Sequence, residues 1–335
     1  MAPDSAPPVA AVVLAAGAGV RLRPISLVRP KPLCPVAERP LLDWALGRLV
    51  PLGPGLEVAV NVHHDATAIV EHLGRRLDGL VGPDGTVTGA MAPRRGRGRV
   101  ADGAGRAARD PTPRVVVSWE EPEALGTAGA LARLAPWLDG RGALVLNADT
   151  WTDLDLAPLL AGWSGEHPRV LTVGDATFGP VARVAGALVP WSVVTGLPDG
   201  PSGLWETCWR AAAADGSLEV VGGEGRFVDC GTPADYLRAN LEARVDVLAE
   251  RSPVVASRSP VAEAIHAERV VDSVVGPGAV VAGTAVRSVI GAGALVEGHV
   301  EDAVIWPGAT VAPDEHLSCA VRLDGPERTQ TVLVR

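Results

Sequence analysis

The sequence predicts an α/β protein in two parts, a parallel sheet covered by helices on both faces and then a small parallel β-helix. Between Val9 and Asp149, short apolar runs alternate with helical patterns. A glycine-bearing loop follows the first apolar run, and a 15-residue repeat fills the C-terminal end.

In order, VAAVVL (9–14) is a buried strand, PLLDWALGRLV a helix, LEVAVNV a strand and DATAIVEHLGRRL an amphipathic helix. RVVVSW, GTAGALARLAPWL and ALVLNAD continue as strand, helix, strand. In sheets of this kind ligands sit beyond the carboxyl ends of the strands, where the glycine loop and Asp149 fall. Residues 82–113 break the alternation with an arginine-rich, aromatic-free stretch that reads as a mobile surface insertion. The helix PADYLRANLEARVDVLA precedes a linker at 251–260. Beyond it, DSVVGPGAVV, RSVIGAGALV and DAVIWPGATV begin at Asp272, Arg287 and Asp302, apolar pairs followed by a tight turn. The divisions expected are a first domain over 1–250, the linker, and a β-helix over 261–335.

Composition narrows the function. The chain has 335 residues, 47% of them hydrophobic, and a net charge of −9, which argues against a nucleic-acid binder that neutralises phosphates. No apolar run is long enough to span a membrane, and the N-terminal segment lacks the features of a signal peptide. Cys34, Cys208, Cys230 and Cys319 show no metal-site spacing and read as free thiols in a reducing cytoplasm. Lys31 is the only lysine; the other 29 basic residues are arginine. In a composition that favours arginine, a retained lysine points to a position that needs a compact ammonium.

Three groups of residues carry chemistry. In LAAGAGVRLRP, Gly17 and Gly19 leave backbone N–H groups open to an anion, and Arg21 and Arg23 follow, the pattern of a triphosphate cradle. Lys31, between Pro30 and Pro32, is expected on a stiff extended strap that aims it at a phosphate whose charge rises during reaction. Asp149 and Asp229, each after an apolar strand, can share a hard cation such as Mg²⁺.

The stretch LAAGAGVRLRPISLVRPKPLCPVAERPLLDWAL resembles the signature of the sugar-1-phosphate nucleotidyltransferases. VNVHH, EALGTAGAL, NADTWTD and FVDCGTPADYLRAN resemble later motifs of that family, in its order, and the repeat is similar to the tail of its longer, mannose-1-phosphate guanylyltransferase-like members. The resemblance implies a Rossmann-like mixed sheet, a left-handed β-helix, and attack of a sugar 1-phosphate on a nucleoside triphosphate with Mg²⁺. It implies catalytic roles for Arg21 and Lys31, and nucleotide contacts from Leu14, Ala15, Ala16, Gly17, Gly19, Glu121, Gly126 and Thr127. It implies Asp149 and Asp229 as metal ligands, and Arg183 and Glu206 near the sugar. The family usually has a small polar residue at Val20, a glycine at Ala148, and a second lysine that this chain lacks, a role open to Arg169 or Arg183. The alternatives are thymidylyl or uridylyl transfer, a weakly catalytic homologue that senses a nucleotide sugar, and an acyltransferase seated on the β-helix, which would need a catalytic histidine such as His266, His299 or His316. A homo-oligomer is expected, with the repeat structural and without an acid–base set.

Overall fold

The computed structural model describes residues 7–53, 55–76, 80–81, 87–88, 115–250, 269–324 and 330–334. The expected linker at 251–260 lies outside the described residues, as does the expected insertion except for Val87–Thr88, whose backbone pairs antiparallel with Leu80–Val81. The chain divides into two compact units, Met1–Gly17 with Leu42–Phe227, and Ala18–Leu41 with Val228–Arg335.

The first unit is built on a seven-stranded sheet. Its strands are β1 (Val9–Leu14), β2 (Val58–Val62), β3 (Val115–Trp119), β4 (Gly142–Asn147), β5 (Arg169–Val173), β6 (Val184–Val189) and β7 (Glu219–Gly223). They lie in the order β7-β5-β6-β4-β1-β2-β3. From β4 through β1 and β2 to β3 the pairing is parallel, as the alternation with helices requires. β6 runs antiparallel to both β4 and β5, so the sheet is mixed. The central strands are near-continuous apolar runs because both faces are covered. Ala10, Val12, Ala143, Val145 and Val189 pack on Ala128, Leu131, Leu134 and Leu138 of the helix Gly126–Leu138, in one buried cluster. The helices Leu41–Leu49 and Ala66–Arg76 and the strand-to-helix order match the sequence pattern to within a residue or two.

The second unit holds the strap 18–41, the helix Pro233–Glu250 and the repeat. The repeat forms three sheets whose coil strands pair in parallel, 15 residues apart in Val274↔Val289, Val289↔Val304 and Val280↔Leu295, and Gln330–Leu333 adds an antiparallel edge to one of them. That is the pairing expected of a parallel β-helix. The last coil is displaced by 17 rather than 15, with His299 opposite His316. Two extra residues enter after Val311, where the earlier coil turns directly through Glu297 and Gly298. Inside the coils the hydroxyls of Ser273 and Ser288 accept the amides of Ser288 and Ala303 at 2.9 and 3.1 Å, so each buried hydroxyl is satisfied by the next coil. The corner residues Asp272, Arg287, Asp302 and Cys319 all take φ between 46° and 48°, a left-handed conformation that L-residues resist.

Tyr236, on the helix of this unit, is fully buried. Its hydroxyl donates to the carbonyl of Pro35 and accepts from Trp306 Nε1 at 3.0 Å. Burial raises the phenol well above its ordinary value, so the hydroxyl keeps its proton and remains a donor.

Candidate active site

The carboxyl ends of β1, β2 and β4 surround a cleft of about 190 Å³ in the first unit. Leu14, Ala16 and Gly17 line it from the first loop, Asn61 from β2, Gly126 and Thr127 from the helix start, and Asn147 and Asp149 from beyond β4. Gly17 is bare on the cleft side: a methyl group built there meets no protein atom within 4 Å. The absence of a side chain therefore serves space outside the protein rather than internal packing, which suits close approach of a ligand phosphate to the backbone. Gly126 differs. It has φ +70°, and a Cβ there would lie 2.6 Å from the Ser202 carbonyl, so glycine is required by the fold. That carbonyl accepts the amides of Ala128 and Gly129 at 2.9 and 3.4 Å and holds the helix start.

Two buried polar residues tie the strand ends together. Asn61, 2% exposed, accepts the Ala15 amide at 2.7 Å and donates to Glu120 Oε1 at 2.7 Å. Glu120, 1% exposed, takes the Leu125 amide on its other oxygen at 2.8 Å. The chain Ala15–Asn61–Glu120–Leu125 thus links the first loop, β2, the end of β3 and the approach to Gly126. Every donor and acceptor named in it is paired, which makes the cleft floor rigid before any ligand arrives.

In the second unit Lys31 is 6% exposed and its ammonium lies 3.3 Å from Asp229 Oδ1. A lysine this buried needs a carboxylate or equivalent partner. Asp229 is 51% exposed and its other oxygen is 3.5 Å from Arg21, itself 73% exposed. Lys31 opens a short 3₁₀ turn, Lys31–Leu33, instead of lying in extended chain. The turn is closed by the Leu33 amide to Pro30 and the Cys34 amide to Lys31, and burial of Pro32 and Leu33 outweighs the local preference of a residue before proline. Gly19, at φ +60°, packs against the stem: its Cβ position is 3.1 Å from Lys31 Cβ and 3.2 Å from Ser26 Cβ. Cys34 is buried beneath the turn, and burial pushes its thiol up to about 12.

A model of the Nucleotidyl transferase family matches residues 10–174. The N-acetylmuramate alpha-1-phosphate uridylyltransferase of Caulobacter vibrioides is 30% identical over 270 residues, covering 71% of this chain and 97% of that protein. The chain belongs to the nucleotidyl transferase family. The mannose-1-phosphate guanylyltransferase of Mycobacterium tuberculosis is 27% identical over 306 residues, 82% of this chain and 73% of that one. In fold, the nucleotidyltransferase is similar to a putative glucose-1-phosphate thymidylyltransferase from Bacillus anthracis, with TM-score 0.51 and 18% identity over 70% of this chain and 95% of that one.

The remaining residues expected from the sequence fall as follows in the nucleotidyltransferase. Leu14, Ala16, Gly17, Gly126, Thr127 and Asp149 meet at one cleft, with Ala15 buried beside them. The Thr127 hydroxyl accepts the Leu204 amide at 2.8 Å. Glu121 is exposed and lines a neighbouring open depression with His63 and Trp119. Arg21, Gly19, Lys31 and Asp229 belong to the second unit. Arg183 is exposed just before β6, and Glu206 is exposed on the π-helical turn Trp205–Trp209. Arg169 pairs with Glu219 and donates to the carbonyls of Leu159, Ala161 and Gly162, so its guanidinium is committed to the fold.

Among the described residues no group of three or more His, Cys, Asp or Glu side chains is arranged to hold a metal ion. The cleft offers the single carboxylate of Asp149, a hard oxygen donor beside a bare glycine. It fits a cation that takes one or two protein ligands and completes its shell with phosphate and water, as Mg²⁺ does. Sequence reasoning passed over Asn61 and Glu120. The available signal was Asn61 breaking the apolar run VAVNV at a buried strand end.

Proposed function

We propose that the chain joins a nucleoside triphosphate to a sugar 1-phosphate, releasing pyrophosphate. An oxygen of the sugar phosphate forms a bond to the α-phosphorus as the bond to the β-phosphate oxygen breaks, and the nucleoside diphosphate sugar remains. The observation that carries the reading is the cleft at the strand ends, with bare Gly17 and Asp149 facing the same space. It supports a triphosphate held by backbone N–H groups of the first loop, with the base toward Gly126 and Thr127.

Lys31 and Arg21 supply positive charge to the phosphates. Asp149 and Asp229 are the ligands for Mg²⁺, which when bound neutralises charge on the triphosphate. Arg183 is the cation offered to the sugar phosphate, since Arg169 is engaged elsewhere. Glu206 is offered to a sugar hydroxyl. Little covalent work is asked of the protein; orientation and charge neutralisation carry the step.

Guanylyl transfer to mannose 1-phosphate is the first specific reading, supported by the length of chain shared with the mycobacterial guanylyltransferase. Uridylyl transfer to an acidic amino-sugar phosphate is the second, favoured by the higher identity to the Caulobacter protein over nearly its whole length. We place the reaction in the cytoplasm; among the described residues no helix is long and apolar enough to cross a membrane. We further propose a left-handed coil for the repeat and a homo-oligomer joined through it. The test is a matrix of the four nucleoside triphosphates against mannose, glucose and N-acetylmuramate 1-phosphates, reading pyrophosphate. Release with one pair well above the rest supports the reading, and no release with any pair removes it.

A further inference from the structure

The strap that carries Lys31 is poor in the groups by which a chain fastens itself. Pro30, Pro32 and Pro35 have no N–H, and the strap's ladder is limited to the two-residue antiparallel pair of Pro35–Val36 with Arg39–Pro40. Further contacts come from elsewhere in the second unit. The Tyr236 hydroxyl donates to the Pro35 carbonyl. Asn240, fully buried, accepts the Ala37 amide at 2.9 Å and donates to the Tyr236 carbonyl at 2.9 Å. At the other end of the strap the Arg29 guanidinium lies over the Trp306 ring, 5.1 Å from its centroid. Trp306 in turn donates to the Tyr236 hydroxyl at 3.0 Å.

Trp306 occupies a place in the repeat that the earlier coils give to glycine. It aligns with Gly276 in GPGAV and Gly291 in GAGAL. At those two positions a Cβ would lie 2.5 Å from the Ala292 nitrogen and 2.3 Å from the Pro307 nitrogen, so the next coil excludes any side chain. The coil after Trp306 is the one lengthened by two residues, and there the largest side chain in the chain's repertoire is accepted and buried. A repeat that needed only its apolar ladders would have no use for an indole in a glycine slot. A buried phenol that lost its two polar partners would carry the full desolvation penalty.

We propose that Trp306 and Tyr236 are positioning residues for Lys31: the third coil and the helix Pro233–Glu250 clamp the strap at Arg29, Pro35 and Ala37, and so hold the ammonium against Asp229. The proposal rests on the transferase reading for its catalytic consequence, but its structural half stands apart from that reading. The repeat, expected from its sequence to be structural or oligomeric, thereby reaches the reacting groups without touching them.

The experiment uses the full chain with Tyr236→Phe and Trp306→Phe, which keep an aromatic ring and remove the hydrogen bonds. Cys34 reports on the strap directly, since its thiol is buried against the Arg29 and Pro30 carbonyls, at 3.5 and 3.7 Å, whereas Cys319 is exposed. Peptide-mapped maleimide labelling should show Cys34 modified at least about tenfold faster in either variant, a change of 1.4 kcal/mol or more in strap opening, with Cys208 in the first unit unchanged. An unchanged Cys34 rate overturns the proposal, and so does an equal rise at Cys208, which would mean general loosening. The second arm is a double-mutant cycle on single-turnover pyrophosphate release. Tyr236→Phe should lower the rate about tenfold beside Lys31 and less than about twofold in a Lys31→Ala background. Equal losses in both backgrounds overturn the positioning role. If wild type releases no pyrophosphate with any substrate pair, the transferase reading fails, and the labelling arm still decides whether the clamp exists.

Discussion

In the sheet unit the groups that face the cleft are mostly uncharged, with Asp149 the carboxylate among them, and they are placed by strands that lie next to one another. Asn61 reaches Ala15 and Glu120 because β2 sits between β1 and β3 in the sheet. In the second unit Lys31 and Arg21 are delivered by a strap of short helical turns and one two-residue ladder, and the partners are distant in sequence: Lys31 meets Asp229 across 198 positions and Tyr236 meets Pro35 across 201. A cleft made by neighbouring strands is redundant and stiff. An arm made by single long-range contacts depends on each of them. On the proposed reading, nucleotide affinity and turnover are therefore built by separate parts of the chain and should respond to different substitutions.

The largest effect is expected from removing the cation proposed for Asp149 and Asp229. EDTA should lower pyrophosphate release by at least about a thousandfold, the several kcal/mol that metal neutralisation supplies, and added Mg²⁺ should restore it. Turnover untouched by EDTA would remove the metal roles of both aspartates. Next is Gly17→Ala, which sharpens the contrast between ligand space and packing. Because the added methyl meets no protein atom, the melting temperature should hold while KM for the triphosphate rises about tenfold. A fall in melting temperature with KM unchanged would assign Gly17 to packing instead.

Glu120→Gln attacks the redundancy of the cleft. Asn61 Nδ2 and the Leu125 amide both donate to this carboxylate, and an amide offers only one oxygen, so one donor loses its acceptor. The expected cost is about 1–3 kcal/mol, seen as a lower melting temperature together with a raised triphosphate KM and a nearly constant kcat. Loss confined to kcat would break the proposed separation. The smallest effect is Cys319→Asn in the repeat. Cys319 holds φ 48°, a conformation asparagine tolerates better, so stability should rise by about 0.5 kcal/mol with turnover unchanged. A destabilised variant would show that the corner is held by side-chain contacts rather than limited by backbone strain.

Much of this was legible in the sequence, and the limits have physical causes. The strands and helices from Val9 to Asn147 appear where period and apolar runs place them, because each element is buried on the faces its pattern marks. The 15-residue repeat was readable because identical spacing stacks identical turns. The antiparallel course of β6 was not, since strand direction depends on connections that hydrophobic pattern does not encode. Glu120 and Glu121 are adjacent, and β3 ends at Trp119, so alternation stops just before the residue whose orientation matters. The 3₁₀ turn at Lys31 reflects burial of Pro32 and Leu33, a tertiary effect invisible to the local rule for residues before proline. Trp306 stood in plain view as the break in GPGAV, GAGAL, WPGAT, but its partner Tyr236 lies 70 residues away on a helix that carries no mark of the contact.

On the proposed reading, Lys31 supplies concentrated charge to the reacting phosphates from a fixed position. The most direct measurement compares turnover of Lys31→Arg and Lys31→Met with wild type at saturating Mg²⁺ and substrates, with melting temperature as the folding control. A guanidinium spreads its charge and prefers a bidentate partner, and a thioether keeps the stem while removing the charge. Both variants should lose about a hundredfold in kcat, roughly 3 kcal/mol in the barrier, at nearly unchanged melting temperature. Near-normal turnover in the folded arginine variant would contradict the account, and the chain's solitary lysine would then be an accident of composition.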